Sequence, residues 1–123
     1  YEDAFGDETI QALPDADYLI NVSNDAWFGD SLAPYQHLQI ARMRAVETGR
    51  YMIRATNTGI SAFIDYQGRV LKQTGQAETA VIHANIQPMK GATPYVWFKD
   101  WLIALLLVLT VLFAIIAKTA NFK

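Results

Sequence analysis

From Trp101 to Ala117 every residue is apolar except Thr110, and this run constrains the chain more than any other stretch. At ~1.5 Å per residue a helix over it would be roughly 25 Å long, the short end of what crosses a bilayer. Val96–Phe98 would lengthen the run, but Lys99 and Asp100 interrupt it and are expected at the surface. The Thr110 hydroxyl can bond back to a carbonyl of its own helix. Tyr95, Trp97 and Trp101 supply an aromatic belt on one side, and Lys118 and Lys123 cap the other. A core helix in so small a domain shows a polar face, and this one shows none. The expectation is a transmembrane helix over 101–117, with a cytoplasmic tail over 118–123. The first hundred residues then lie on the outer side of the membrane.

Those hundred residues hold all 12 acidic side chains against eight Lys and Arg, a net charge of −4, while the tail carries +2. No basic run tracks a phosphate backbone, which argues against nucleic-acid binding. With 123 residues there is room for one small domain. There is no cysteine, hence no disulfide, thiolate metal site or thiol nucleophile within the chain. The chain opens at Tyr1-Glu2-Asp3 with neither a methionine nor a signal peptide, and it reads as a piece of a longer protein.

Asp17–Gly29 is the densest polar and aromatic stretch. Tyr18–Val22 is a short, nearly continuous apolar run with β-branched residues, the pattern of a strand covered on both faces. Ser23, Asn24 and Asp25 then bond readily to backbone, and Trp27-Phe28 presents two rings before Gly29 turns the chain. Two readings fit: a strand delivering polar groups and an aromatic wall to a site, or a strand, an Asx-turn and a core tryptophan.

Around it, Asp7-Glu8 followed by Thr9–Leu13 reads as a short helix with acids in its first turn, and Pro14–Asp17 turn into the strand. Asp30 or Ser31 can cap a helix over Pro34–Thr48, closed by Gly49. Leu38, Ala41 and Ala45 mark one face of it, while Ile40 and Met43 spread onto another, so it should be covered on more than one side. Arg44 and Glu47 can pair across a turn. Strands are expected over Tyr51–Thr56, Ile60–Tyr66 and Val70–Gln73. They are joined by Asn57-Thr58-Gly59, with a positive φ at the glycine, and by Gln67-Gly68. Thr79–Gln87 alternates strictly and reads as a half-exposed strand ended by Pro88. The order gives an α/β arrangement with a mixed sheet and too few helices to cover it. The missing cover must come from upstream chain or another subunit.

Isolated chemistry is sparse. His37 and His83 have no second ligand at metal spacing and read as ordinary surface or half-buried residues. Ser23, Ser31 and Ser61 lack a nucleophile elbow. Glu2 and Asp3, taken alone, read as solvated. Arg42, Arg44 and Arg54 can meet a lipid head group or form structural ion pairs, with the ion pairs the stronger reading.

Taken together, Tyr1-Glu2, Asn21-Val22-Ser23-Asn24-Asp25-Ala26-Trp27-Phe28-Gly29, Gln36–Glu47, Arg54–Gly59 and Gly91-Ala92-Thr93-Pro94-Tyr95 resemble the C-terminal part of the bacterial apolipoprotein N-acyltransferases, of the nitrilase or carbon-nitrogen hydrolase superfamily. The resemblance runs through the final span. It implies an α/β fold: the C-terminal part of a nitrilase-like α/β/β/α sandwich followed by one transmembrane helix. Residues 1–90 would belong to that periplasmic domain, 91–100 to a linker and interfacial aromatic belt, 101–117 to the span and 118–123 to the tail. The implied site is the inner membrane of a bacterium, facing the periplasm.

The resemblance also implies a reaction without cofactor or metal. A cysteine takes an acyl chain from a phospholipid, and the N-terminal amine of an apolipoprotein accepts it. In the family the cysteine precedes a Tyr-Glu pair, so it would stand immediately before Tyr1, with the base glutamate and a lysine further upstream. This piece alone would be inert. Tyr1 would give a backbone N–H to the oxyanion and Glu2 would support the site. Asn24, Trp27 and Phe28 are proposed as wall and orienting groups, against packing alone. The implied partners are phospholipid, apolipoprotein, the membrane and the rest of the same polypeptide. Two alternatives stand beside this: a membrane-anchored amidase of the superfamily, and a non-enzymatic scaffold with that fold.

Overall fold

The computed structural model describes residues 2–120, with the side chains of Glu2, Thr119 and Ala120 left aside. Four strands form one sheet in sequence order: β1 (Leu19–Ser23), β2 (Met52–Thr56), β3 (Ala62–Ile64) and β4 (Val70–Gln73). β1 and β2 run parallel, with Leu19 opposite Met52 and Ser23 opposite Thr56, and the other two pairings are antiparallel. The parallel pair needs a crossover, and helix α2 (Ala33–Thr48) supplies it. The sheet is thus mixed, as its order of elements predicts.

Helix α2 starts one residue before the expected Pro34, and Ser31 Oγ accepts from the Ala33 amide at 3.3 Å. Its end is fixed by Gly49, at φ +63°, with the Gly49 and Arg50 amides returning to the Val46 and Ala45 carbonyls. Leu38, Ala41 and Ala45 face the sheet and close the core against Met52, Ile60, Ala62 and Ile64, with Leu19 and Val70 at its margin. Met43 and Val46 stay exposed, while Arg44 and Glu47 are half-buried beside Thr93, so α2 has cover beyond the sheet.

The strand β1 departs from expectation. Among the described residues it is covered on one face: Asn21 and Ser23 point under α2 and are buried, while Ile20 and Val22 lie on the other face, Val22 at 74 % exposure. The polar residues are inside because that face meets charged partners rather than apolar ones. The turn at Gly59 is a second correction. Its φ is not positive; a Cβ there would lie 2.0 Å from Asp25 Oδ2, so glycine is required by close approach. Gly68, at φ +77°, does make the expected left-handed turn.

Thr79–Gln87 is not a strand. Ile82, Ala84 and Ile86 are half-buried while Val81, His83, Asn85 and Gln87 are exposed, so the alternation is real. The segment lacks a neighbouring strand among the described residues and forms no ladder. The expected short helix with Asp7 and Glu8 in its first turn forms as α1 (Gly6–Thr9) and continues as a 3-10 turn over Ile10–Ala12.

The stretch 91–100 is not a free linker. Thr93 caps a short helix, α3 (Pro94–Phe98), and its hydroxyl also donates to the Glu47 carbonyl on α2. Helix α4 (Trp101–Ala120) follows. Its window Trp101–Lys118 has a mean hydropathy of 2.6 and none of it is buried, so it is long and apolar enough to cross a membrane. Thr110 Oγ1 donates to the Leu106 carbonyl at 2.6 Å, which hides the one polar group in the run.

Candidate functional site

At the carboxyl end of the parallel strands lies a closed ring of charged side chains. Arg54 projects inward from β2, alternating with Met52 on the buried face. Its Nη1 donates to Asp3 Oδ2 at 3.0 Å and its Nη2 to Asp25 Oδ2 at 2.9 Å. His37, on the inner stripe of α2, completes the ring from the other side. Its Nε2 lies 2.8 Å from Asp3 Oδ1 and its Nδ1 lies 2.9 Å from Asp25 Oδ1. Each carboxylate thus gives one oxygen to the imidazole and the other to the guanidinium.

The ring is deeply buried: Asp25 and Asp3 are 1 % and 3 % exposed, Arg54 2 % and His37 6 %. Ser23 Oγ adds a hydrogen bond to Asp25 Oδ1 at 2.8 Å, and Asn21 Oδ1 accepts from Arg54 Nη1 at 2.7 Å. These partners explain the polar inner face of β1. Burial pushes the Asp3 carboxyl up, but the hydrogen bond and charge of His37 and the charge of Arg54 outweigh it, leaving its pKa below the ordinary value. Buried charges persist only when paired in this way.

Two loops close over the ring. Asn57 Oδ1 accepts from the Asp25 amide at 3.0 Å, and Asn57 Nδ2 donates to Asn24 Oδ1 at 2.7 Å. Asn24 Oδ1 also accepts from the Ala26 amide, an Asx-turn. The β1–α2 loop is therefore stitched to the β2–β3 loop by paired asparagines. After it, Ala26–Phe28 forms a 3-10 turn.

The sequence-predicted site residues fall around this ring, but not on one wall. The backbone of Glu2 forms a 3-10 turn with Asp3 and Ala4, which the Asp3 carboxylate anchors to the ring. Tyr1 lies outside the described residues. Phe28 stands edge-on to His37, ring centroids 6.2 Å apart, and lines a cleft of about 190 Å³ with Ala4, Ala33, Gln36, His37 and Ile40. Asn24 opens on another side, with Val22, Ala55 and Thr56. Trp27 points away into solvent at 86 % exposure.

Asp3, Asp25, His37 and Arg54 were the residues that sequence reasoning undervalued. Asp3 is not solvated and His37 is not an ordinary surface histidine. The signal was present in part: Pro34, His37, Leu38, Ala41, Ala45 and Thr48 share the helical spacing of the buried stripe. The arginines make structural contacts. Arg54 is in the ring, Arg44 pairs with Glu47 at 2.9 Å, and Arg42 Nε donates to the Gly68 carbonyl at 2.7 Å. Among the described residues no three His, Asp or Glu side chains are placed to hold a metal. All four oxygens of Asp3 and Asp25 are occupied, so the ring is suited to hold loops in place rather than to accept a proton from a substrate.

Comparison with known proteins gives this geometry a family. The profile of the carbon-nitrogen hydrolases matches residues 1–95. A protein of Nitrosomonas europaea named apolipoprotein N-acyltransferase is 58 % identical over 112 residues, covering 91 % of this chain and 22 % of that protein. Proteins of the same name from Methylococcus capsulatus and Haemophilus influenzae are each 56 % identical, over 82 % and 77 % of this chain and 20 % and 18 % of their own length. The chain therefore spans about a fifth of the length of these curated relatives. With a mixed α/β sheet, the ring at its carboxyl edge and the profile match across three quarters of its residues, the chain belongs to the carbon-nitrogen hydrolase family.

Proposed function

We propose that this chain is the C-terminal part of a membrane acyltransferase that matures lipoproteins. The observation that carries the reading is the 58 % identity over 91 % of the chain to a relative named apolipoprotein N-acyltransferase. In the proposed reaction a cysteine immediately before Tyr1, as thiolate, attacks the carbonyl of a phospholipid ester. The C–S bond forms, the C–O bond breaks, and the departing lysophospholipid oxygen takes a proton. The α-amino group of an apolipoprotein then attacks the thioester. An amide forms, the C–S bond breaks and the thiol returns.

In this scheme the Tyr1 amide donates to the oxyanion and Glu2 supports the site. Asn24 orients the loop beside the thioester through its bonds to Ala26 and Asn57. Phe28 lines the cleft next to the turn, and the exposed Trp27 meets the acyl chain or the acceptor. Residues 1–90 form the end of the periplasmic domain, 91–100 the interfacial segment, and 101–117 the span of the inner membrane, leaving 118–123 in the cytoplasm. The exposed apolar α4, with Trp101 at its start and Trp97 on the preceding α3, supports membrane anchoring.

The test uses the full-length protein, inserted in membranes, with phospholipid carrying a labelled acyl chain. The expected result is a hydroxylamine-sensitive adduct on the residue before Tyr1, discharged by an N-terminal S-diacylglyceryl cysteine peptide. A folded wild-type protein with no adduct would overturn the reading.

A further inference from the structure

The ring of Asp3, His37, Asp25 and Arg54 has a consequence for the turn that precedes α1. An ionised carboxylate only accepts hydrogen bonds. Both nitrogens of His37 face carboxylate oxygens, at 2.8 and 2.9 Å, so the imidazole bridges Asp3 on the turn and Asp25 on the β1–α2 loop. Without the imidazole, two buried carboxylates share one guanidinium. Asp3 is the only ring member on the Glu2–Ala4 turn, and its contacts reach 34 residues along the chain to His37 and 51 to Arg54. Among the described side chains of that turn, Asp3 makes the hydrogen bonds to β2 and α2. His37 also lines the cleft with Ala4 and Phe28.

We propose that His37 is a positioning residue: through Asp3 it locks the Glu2–Ala4 turn to the β1–α2 loop, and so sets the residue before Tyr1 against its substrate. The second half rests on the acyltransferase reading above; the first half does not.

The experiment compares full-length wild type, His37→Ala, His37→Gln and the exposed-site control His83→Ala in detergent micelles or membranes. Hydrogen exchange reads the turn without needing activity. At least ten-fold faster exchange is expected at the Phe5–Thr9 and Glu2–Ala4 amides of His37→Ala, with the β2–β3 amides changed less than two-fold. Unaltered exchange at the turn in a folded variant would overturn the proposal. Activity reads the consequence: kcat falls at least ten-fold with KM for phospholipid within two-fold, and imidazole added to His37→Ala restores several-fold. A merely structural role predicts no split between kcat and KM and no recovery. If His37→Ala does not fold, His37→Gln, which sets an acceptor oxygen where the imidazole met a carboxylate, carries the exchange and kcat readouts with the same opposing outcomes. A wild type without acyl transfer sinks the acyltransferase reading, while the exchange data still decide the lock.

Discussion

Arg50 and Arg54 stand four residues apart, are equally buried at 2 % exposure, and are held in opposite ways. Arg54 is held by charge: two carboxylates and an asparagine oxygen. Arg50 is held by dipoles. Its Nε donates to the Ala16 carbonyl at 2.6 Å, its Nη2 to those of Pro14 and Gly91 at 3.1 and 2.6 Å, and its Nη1 to those of Thr48 and Gly49. The last two lie at the carboxyl end of α2, where the helix dipole favours a cation. The contrast follows from what each end of the sheet does. One end gathers side-chain charge and must balance it, because unpaired charge in the interior is costly. The other uses backbone to strap Pro14, Ala16 and Gly91 together, and so ties the segment before α3 to the domain.

The largest effect should come from removing the charge-held arginine. Arg54→Leu leaves Asp3 and Asp25 buried with their guanidinium gone, and is expected to cost about 3–5 kcal/mol. Urea unfolding of the full-length protein measures it. Arg50→Met leaves only carbonyls unpaired and should cost about 1–3 kcal/mol. It should also raise protease cutting near Gly91. If Arg50→Met proves as damaging as Arg54→Leu, the distinction between charge and dipole is wrong.

Acid sharpens the same contrast. The Asp3 and Asp65 carboxyls lie below their ordinary value of 3.8 in the folded protein. For Asp65, burial is outweighed by hydrogen bonds from the Arg69 and Gln67 amides and the Arg69 side chain. A group depressed on folding stabilises fully above its unfolded value and loses that contribution as pH falls through its folded one. Stability should therefore drop below pH 3.8, and Asp3→Asn should flatten that limb. Arg50→Met should leave its shape unchanged. Glu47 has the opposite sign: burial raises it above 4.5 despite Arg44, so its contribution weakens as pH rises through that range. Thermal unfolding from about pH 2.5 to about pH 7 separates the two, a window that extends past the ordinary carboxylate values on both sides.

The smallest effect on stability should be that of Trp27→Ala. Its side chain is 86 % exposed, so a change within about 0.5 kcal/mol is expected. Acyl handling should weaken while thiol labelling of the full-length protein persists. Lost labelling in a folded variant would contradict the proposed division between a turn next to the nucleophile and a loop that shapes the site.

Local chemistry was legible where the signal was local. Val70–Gln73 is β4 as read, Gly49 ends α2 and Gly68 makes its turn, because caps and turns are set by residues a few positions apart. Leu38, Ala41 and Ala45 face the core for the same reason. Thr79–Gln87 shows the boundary. Its alternation predicts which side chains are half-buried, but a strand also needs a neighbour, and alternation alone does not provide one.

The ordered segments from Tyr1-Glu2 to the final apolar run carried the family, and the hydropathy of 101–117 carried the membrane-length helix. The ring was decided by tertiary structure alone. Asp3, Asp25, His37 and Arg54 each look ordinary in sequence, since a charged residue reads as solvated until its partner is known. Their pairing spans 12 to 51 residues and exists only once β1, α2 and β2 are packed. Packing removes water, and only then does the sign of each neighbour decide which charges can stay.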